Sequence, residues 1–200
     1  MALPLRLILA SQSPRRRELL ALTGIPFETA SVDIDETFDP ELSVEENVTE
    51  ISRQKAEAVR MSLRLPFDET VVLGSDTTVL LDGSPLGKPL DAEHSFQMLS
   101  ALQGRTHEVL TGFCILHARE AISGYARTIV EFEPIADTEI SRYIELMKPF
   151  DKAGSYGIQD PMLACFIKRI DGCYYNVVGL PLSRVYAALK PLFPFQPARP

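Results

Sequence analysis

The chain has 200 residues, enough for one generous domain or two small lobes. Its net charge of -7 argues against a protein that coats nucleic acid, because such a surface needs a basic face. The three cysteines are odd in number and no pair has zinc-site spacing, so we expect reduced thiols in a cytoplasmic protein. Acidic, basic and proline residues interrupt the apolar residues near the start, and we expect neither a signal peptide nor a membrane span.

An arginine-rich turn follows the first predicted strand, residues 5–9. Ser13 and the proline after it are typical of a helix N-cap and first helical residue. The first turn of this helix carries Arg15, Arg16 and Arg17, although the helix macrodipole favours acidic residues there. The pattern therefore predicts a bound anion, most naturally a phosphate, and the alternative is a solvated basic turn.

A lysine lies on the inward face of the next predicted helix. Ser43 and Glu46 form a capping box, and the helix is expected to reach about residue 64. Lys55 falls within its apolar stripe, so the side chain must either extend to solvent or meet a carboxylate or phosphate. An acidic cluster before this helix, residues 33–36, is either a solvated loop or part of a metal site.

The strongest strand signal covers residues 70–81, and Asp76 lies in its middle. A carboxylate in a buried strand must be paired or bound to a metal, or be satisfied by nearby N–H groups at a bend. Gly74, two residues earlier on the same face, leaves room for a group close to the backbone. We favour a functional role for Asp76.

The remaining elements are predicted from turn signals and periodicity. Lys88 lies in a Gly-Lys-Pro run that is not a P-loop, because proline stands where Ser or Thr is required. The Gly-rich loop 148–159 either wraps a ligand or is a plain connector. We expect a hairpin at 82–83, a helix capped by Asp91, strands over 106–118, 121–132, 163–170 and 174–178, a helix capped by Asp137 or Thr138, and a last helix over 182–190.

These residues suit phosphoryl chemistry. An arginine-rich helix N-terminus, three lysines (Lys55, Lys88 and Lys152) and two carboxylates (Glu36 and Asp76) are present, and no protein nucleophile stands out. In such chemistry the protein mainly positions and neutralises phosphates and holds a metal, with water as the nucleophile.

Several motifs carry a family resemblance. Residues 10–16, Ala-Ser-Gln-Ser-Pro-Arg-Arg, resemble the signature of the Maf family of nucleoside triphosphate pyrophosphatases. Further motifs fall in the family's order: Glu36, the Gln-Lys-Ala step at 54–56, Gly-Ser-Asp-Thr at 74–77, Gly-Lys-Pro at 87–89, Asp-Lys-Ala-Gly at 151–154 and Val-Gly-Leu-Pro at 178–181.

The resemblance implies an α/β fold with an elongated mixed β-sheet flanked by helices, two lobes and a central cleft, as in inosine triphosphatases. We expect a single Maf-like domain over residues 1–190, followed by a flexible tail over 191–200, which contains four prolines. The implied protein is a cytoplasmic house-cleaning hydrolase that cleaves the α-β phosphoanhydride bond with Mg²⁺ or Mn²⁺. A homodimer is a family-level expectation.

The resemblance also assigns residues. Asp76 matches the proton acceptor, which either activates the attacking water or acts chiefly as a metal ligand with Glu36. Substrate choice is assigned to Arg15, Thr77 and Gln159. Our hypothesis for the phosphate ligands comprises Ser11, Ser13, Arg16, Lys55, Lys88 and Lys152.

Alternative functions are weighed against the resemblance. The selectivity residues resemble the branch that hydrolyses dTTP and UTP, while another branch accepts modified uridine and cytidine triphosphates. A non-enzymatic nucleotide-binding regulator, for instance of septum formation, would not need Asp76 and Glu36. A nucleic-acid binder fits poorly with the net charge.

Overall fold

The structure is a computed structural model that describes residues 5–193. Its strands are β1 (Arg6–Ala10), β2 (Phe27–Ala30), β3 (Thr70–Leu81), β4 (Ser84–Leu86), β5 (Thr106–His117), β6 (Glu120–Phe132) and β7 (Ile167–Asp171). Its helices are α1 (Pro14–Ala21), α2 (Val44–Ser62), α3 (Ala92–Leu102), α4 (Asp137–Met147), α5 (Tyr174–Val178) and α6 (Leu182–Leu189). Short 3-10 turns cover Ala153–Ser155 and Leu163–Phe166.

The described strands form one mixed sheet. Its order is β2-β1-β3-β5-β6-β7, and β4 pairs with β3 off this path. Strand β1 is parallel to both β2 and β3, whereas β3–β4 and β6–β7 are antiparallel. The predicted α/β fold with a mixed sheet flanked by helices is confirmed. The described residues divide into two compact units, and the predicted cleft stays a prediction.

The first unit takes in the described parts of residues 1–76, 112–125 and 179–200. Helix α2 packs against the sheet here, and Ala56 and Val59 join Ile8 and Val72 in one buried cluster. Ser43 caps this helix while Glu46 reaches back to the Ser43 backbone N–H at 2.8 Å, which confirms the predicted capping box.

The second unit comprises residues 77–111 and 126–178. Its core joins helices α3 and α4 to the long strands through Leu99, Leu102, Phe132 and Ile140. Tyr156 and Ile158, from the loop after α4, are buried in the same cluster. The core therefore anchors the Gly-rich loop that the sequence singled out.

Three local predictions were wrong. Residues 174–178 form helix α5 instead of a strand, because Asn176 is fully buried and its amide donates to Val109 O and Thr128 Oγ1 at 3.0 Å each. Residues 163–166 form a 3-10 turn, so the predicted strand begins only at 167. Helix α4 begins after Ala136, whose N–H donates to the Glu139 carboxylate at 3.0 Å, and neither predicted cap residue serves.

Three further predictions concern a membrane span, the tail of the chain and the number of domains. Among the described residues, no helix combines the length and the apolar character needed to cross a membrane. Most of the predicted flexible tail, residues 194–200, lies outside the described residues. The prediction of one domain over 1–190 stays a prediction.

Candidate active site

Three residues that the sequence placed in one site meet in the first unit. Lys55 Nζ lies 2.7 Å from Asp76 Oδ1 and 3.1 Å from Glu36 Oε1. The side chains of Lys55 and Asp76 are only 13% and 10% exposed, whereas that of Glu36 is 40% exposed. The inward-facing lysine therefore meets carboxylates instead of extending to solvent, and the predicted cluster of charges exists.

Gly74 explains how helix α2 comes close enough to strand β3. A Cβ at this position would lie 2.0 Å from the backbone oxygen of Ser52 and 3.0 Å from the backbone nitrogen of Ala56. The group for which Gly74 leaves room is thus the helix backbone next to Lys55. Since alternate residues of a strand share a face, the same approach brings Lys55 to Asp76.

The N-terminus of helix α1 is organised by two serines. Ser13 Oγ accepts from the Arg16 backbone N–H at 3.4 Å, and Ser11 Oγ accepts from the Ser13 backbone N–H at 3.1 Å. Both serines are half-buried, and the predicted cap is confirmed. Backbone N–H groups and hydroxyls at a helix N-terminus suit an anionic ligand.

Arg16 is held over this turn by two contacts. Its Nε donates to Gly179 O at 2.9 Å, and its Nη1 donates to Ser11 Oγ at 3.4 Å. Burial lowers the pKa of the Arg16 guanidinium, and the charge of nearby Asp76 acts in the opposite direction. Arginine nevertheless stays protonated in proteins, so Arg16 brings a fixed positive charge close to the carboxylates.

The neighbouring arginines differ. Arg15 is half-buried, and its positive charge lowers the pKa of Arg16. Arg17 is exposed, as expected for an arginine side chain that extends into solvent. The first unit therefore brings together Ser11, Ser13, Arg15, Arg16, Glu36, Lys55 and Asp76.

The other predicted site residues belong to the second unit. Thr77 is half-buried, and its hydroxyl lies 3.1 Å from that of Thr111. Lys88 is exposed, and the Gly154 N–H donates to the carbonyl of the preceding Gly87 at 3.0 Å. This bond ties the Lys88 segment to the loop that carries Lys152 and Gln159.

Lys152 and Gln159 lie on that loop in different surroundings. The Lys152 ammonium is 3.4 Å from both Asp151 Oδ1 and Asp160 Oδ2, and its side chain is 11% exposed. Gln159 is exposed, although Ile158 and Asp160 on either side of it are buried. The Gln159 side chain is therefore open to solvent.

Some contributors were missed by sequence reasoning. The carbonyl of Gly179 orients Arg16 and also accepts from Ser75 Oγ at 3.4 Å. Asp160 and Tyr143 form a buried hydrogen bond of 2.7 Å beside Lys152. The Gly-Leu-Pro run gave a signal for Gly179, whereas no local pattern connects Tyr143 to Asp160.

The Glu36 and Asp76 carboxylates are candidate metal ligands. Among residues 5–193, no group of three or more His, Cys, Asp and Glu side chains converges as a metal site. Glu36 and Asp76 nevertheless both lie close to the Lys55 ammonium, so two hard oxygen ligands converge on one cation. Mg²⁺ is commonly held by one or two carboxylates together with substrate phosphates, and this pair fits that pattern.

Comparison with known proteins assigns the chain to a family. The sequence profile described as Maf-like protein matches residues 6–192. The chain belongs to the Maf family. This Maf-family protein is 76% identical over 189 residues to the dTTP/UTP pyrophosphatase of Chlorobaculum tepidum, with 94% of this chain and 96% of that protein covered. It is 74% identical over 194 residues to the enzyme of the same name from Chlorobaculum parvum, with 97% and 98% covered.

Among solved structures, the Maf-family chain is similar to the Staphylococcus aureus Ham1 protein, with a TM-score of 0.45 and 17% identity over 66% of this chain and 72% of that one. A second similarity, to a dITP/XTP pyrophosphatase of Mycobacterium abscessus, has a TM-score of 0.40 and 15% identity over 96% and 100% of the two chains.

The charged side chains of this Maf-family protein indicate which chemistry the site can support. The first unit offers a carboxylate pair bridged by a lysine and positive charge at a helix N-terminus, where the charges of Asp76 and Glu36 act on Arg16. Such an arrangement can bind phosphates, and a carboxylate beside them can orient a water molecule. It contains the positioning and neutralising groups that phosphoryl transfer requires.

Proposed function

We propose that this protein is a hydrolase that converts dTTP and UTP to the monophosphate and pyrophosphate. The observation that carries the proposal is the largely buried Lys55–Asp76 pair, whose charged atoms are 2.7 Å apart. The 76% identity to a dTTP/UTP pyrophosphatase supports the same function. Two buried charges are costly to desolvate, and a neutral pair would stabilise the fold equally well.

In the proposed reaction, a water molecule attacks the α-phosphorus. Asp76 orients this water and accepts its proton, the bond from the α-phosphorus to the α-β bridging oxygen breaks, and pyrophosphate leaves with that oxygen. Arg16, with Ser11 and Ser13, binds phosphate oxygens at the N-terminus of α1, and Lys55 neutralises phosphate charge. These interactions are electrostatic and pre-organised, as phosphoryl transfer requires.

Further residues complete the proposed contacts. Lys88 and Lys152 add positive charge for the triphosphate. Arg15, Thr77 and Gln159 discriminate among substrates, and the Gln159 amide offers a donor and an acceptor to the imide edge of uracil or thymine.

A divalent cation is part of the proposal. Glu36 and Asp76 would hold Mg²⁺ or Mn²⁺, since their oxygens converge on one cation already. When bound, such an ion neutralises phosphate charge and lowers the pKa of the attacking water. A cytoplasmic location and a homodimer are further proposals, and both are supported by the family membership.

A pyrophosphate-release assay tests the function. The purified protein is incubated with dTTP, UTP, 5-methyl-UTP, CTP, 7-methyl-GTP and ITP, with Mg²⁺, with Mn²⁺ and with chelator. We expect release from dTTP and UTP that the chelator abolishes. Preferred release from modified uridine and cytidine nucleotides would move the protein to the alternative branch, and no hydrolysis of any nucleotide would favour a non-enzymatic regulator.

A further inference from the structure

The hydroxyl of Tyr143 joins two parts of the loop that follows helix α4. It donates to Asp160 Oδ2 at 2.7 Å and accepts from the Gly157 backbone N–H at 3.2 Å. Tyr143 and Asp160 are 2% and 6% exposed, so both bonds are made away from solvent. Desolvation, assisted by the hydrogen bond to Asp160, raises the pKa of Tyr143 well above its usual range, and the hydroxyl keeps its proton.

The carboxylate of Asp160 also faces Lys152. Its Oδ2 lies 3.4 Å from the Lys152 ammonium, whose side chain is 11% exposed. The Asp160 carboxylate is packed against Gly157, because a Cβ on that glycine would lie 2.7 Å from Oδ1. One hydroxyl thus fixes the carboxylate that pairs with Lys152, and it also fixes the backbone two residues before Gln159.

We propose that Tyr143 is a positioning residue for the segment from Lys152 to Gln159. It acts through other groups: through Asp160 it holds the Lys152 ammonium, and through the Gly157 N–H it holds the backbone that presents Gln159. The inference rests on the proposed function, in which Lys152 contacts the triphosphate and Gln159 the base. A nucleotide then meets both side chains already in place, which lowers the entropy lost on binding.

A purely structural role is the competing explanation, since the Tyr143 ring also belongs to the core of the second unit. The two roles predict different effects when the Tyr143 hydroxyl is removed. A positioning role makes the effect on nucleotide binding depend on Lys152 and Gln159, whereas a structural role lowers stability whichever residues stand at positions 152 and 159.

The first test combines kinetics with a double-mutant cycle. Tyr143→Phe removes the hydroxyl and keeps the ring, and we expect a KM for dTTP raised about tenfold with kcat nearly unchanged. In a background that carries both Lys152→Met and Gln159→Ala, the same change should alter KM less than about twofold, because both positioned groups are already gone. An equal effect of Tyr143→Phe in both backgrounds would overturn the inference.

Tyr156→Phe is the matched control. Its hydroxyl is also buried, on the same loop, but it pairs with His107 Nε2 at 2.7 Å instead of Asp160. We expect this variant to lose stability while it retains the wild-type KM. A KM rise equal to that of Tyr143→Phe would show that any lost hydroxyl in this core has the effect.

Hydrogen exchange tests the positioning without any turnover. In Tyr143→Phe, we expect faster exchange in peptides that cover 151–160 and unchanged exchange in α2. Unchanged exchange over 151–160 would overturn the inference even if the enzyme is active. Conversely, a wild-type protein that hydrolyses no nucleotide, with faster exchange in the variant, would reject the proposed function and keep the positioning role of Tyr143.

Discussion

The Lys55 ammonium lies 2.7 Å from Asp76 Oδ1, and the two residues come from a helix and a strand that meet where Gly74 has no side chain. The pair is about nine-tenths buried, so each charge depends on the other for its solvation. Glu36, which is 3.1 Å from the same ammonium, is far more exposed. In the proposed function, a bound phosphate would compete with the carboxylates for the Lys55 ammonium, which would link the stability of this site to its chemistry.

The first prediction is that Lys55→Met destabilises the protein by about 3 kcal/mol, because it removes the hydrogen-bonded cation of the buried Asp76 carboxylate. Urea unfolding measures the change as a shift of the midpoint at constant slope. Adding Asp76→Asn to this variant should recover part of the loss, since the unpaired charge is removed.

Arg53→Met is the matched control for this prediction. Arg53 lies on the same helix and pairs with Glu50 and Glu57, but its side chain is 39% exposed. Exposed ion pairs contribute little, so we expect a loss below about 1 kcal/mol. Equal losses for the two variants would mean that the Lys55–Asp76 pair behaves as a surface salt bridge.

The second prediction concerns Gly74. Gly74→Ala should destabilise the protein by about 3 kcal/mol or more, because a Cβ would lie 2.0 Å from the backbone oxygen of Ser52 and helix α2 would have to move. The shift would also separate Lys55 from Asp76, so turnover should fall in the fraction that remains folded. Thermal unfolding and pyrophosphate release measure the two effects.

Gly87→Ala serves as the comparison for Gly74→Ala. A Cβ at Gly87 meets nothing within 4 Å, so its unfolding temperature should stay close to that of the wild type. If Gly74→Ala were equally mild, the close approach of helix and strand would not constrain the site.

Sequence periodicity was enough to place the first unit's charges. The capping box at Ser43 fixed the phase of helix α2, and that phase put Lys55 on the inward face. The long apolar run put Asp76 inside a strand, and the structure has this strand over Thr70–Leu81 as predicted. The sequence did not show which residue each buried charge pairs with, and in the structure Lys55 and Asp76 pair with each other.

The second unit was harder to predict because its local patterns are overruled by tertiary contacts. The aromatic and β-branched run at 174–178 favours a strand, yet a helix forms there, and its buried Asn176 amide donates to Val109 O and Thr128 Oγ1. In the loop 148–159, Gly154 and Ser155 adopt positive φ values of 65° and 62°. No sequence pattern predicts the positive φ of Ser155, and none predicts the hydrogen bond from Tyr143 to Asp160.

The third prediction is that Asp76→Asn lowers turnover of dTTP by about 10²–10⁴-fold, because an amide cannot accept the proton of the attacking water. Binding should survive, since the variant keeps Arg16 and the serines of helix α1. Pyrophosphate release gives the rate, and calorimetric titration with a non-hydrolysable dTTP analogue gives the affinity.

Asp82→Asn is a suitable control for Asp76→Asn. Asp82 is also paired, with Arg105 at 2.7 Å, but its side chain is 72% exposed, and asparagine tolerates its positive φ of 51°. This variant should keep the wild-type rate. Near-normal turnover in Asp76→Asn itself would remove Asp76 from the mechanism.

The fourth prediction uses His107, which is 2% exposed and contacts the Tyr156 hydroxyl through Nε2 at 2.7 Å. Burial lowers the pKa of His107 from 6.5 to about 4. Between these values the unfolded chain binds a proton that the folded protein excludes. The stabilisation is therefore complete above about pH 6.5 and is lost progressively as the pH falls towards 4.

This titration should remove about 2 kcal/mol of stability between pH 7 and pH 5. Other groups also titrate in that range, so the informative quantity is the difference between the wild type and His107→Gln, measured by urea unfolding at each pH. Glutamine does not titrate and can form a hydrogen bond with the Tyr156 hydroxyl as donor or acceptor. The wild type should lose its advantage over the variant as the pH falls, whereas parallel pH profiles would show that His107 titrates alike in the folded and unfolded states.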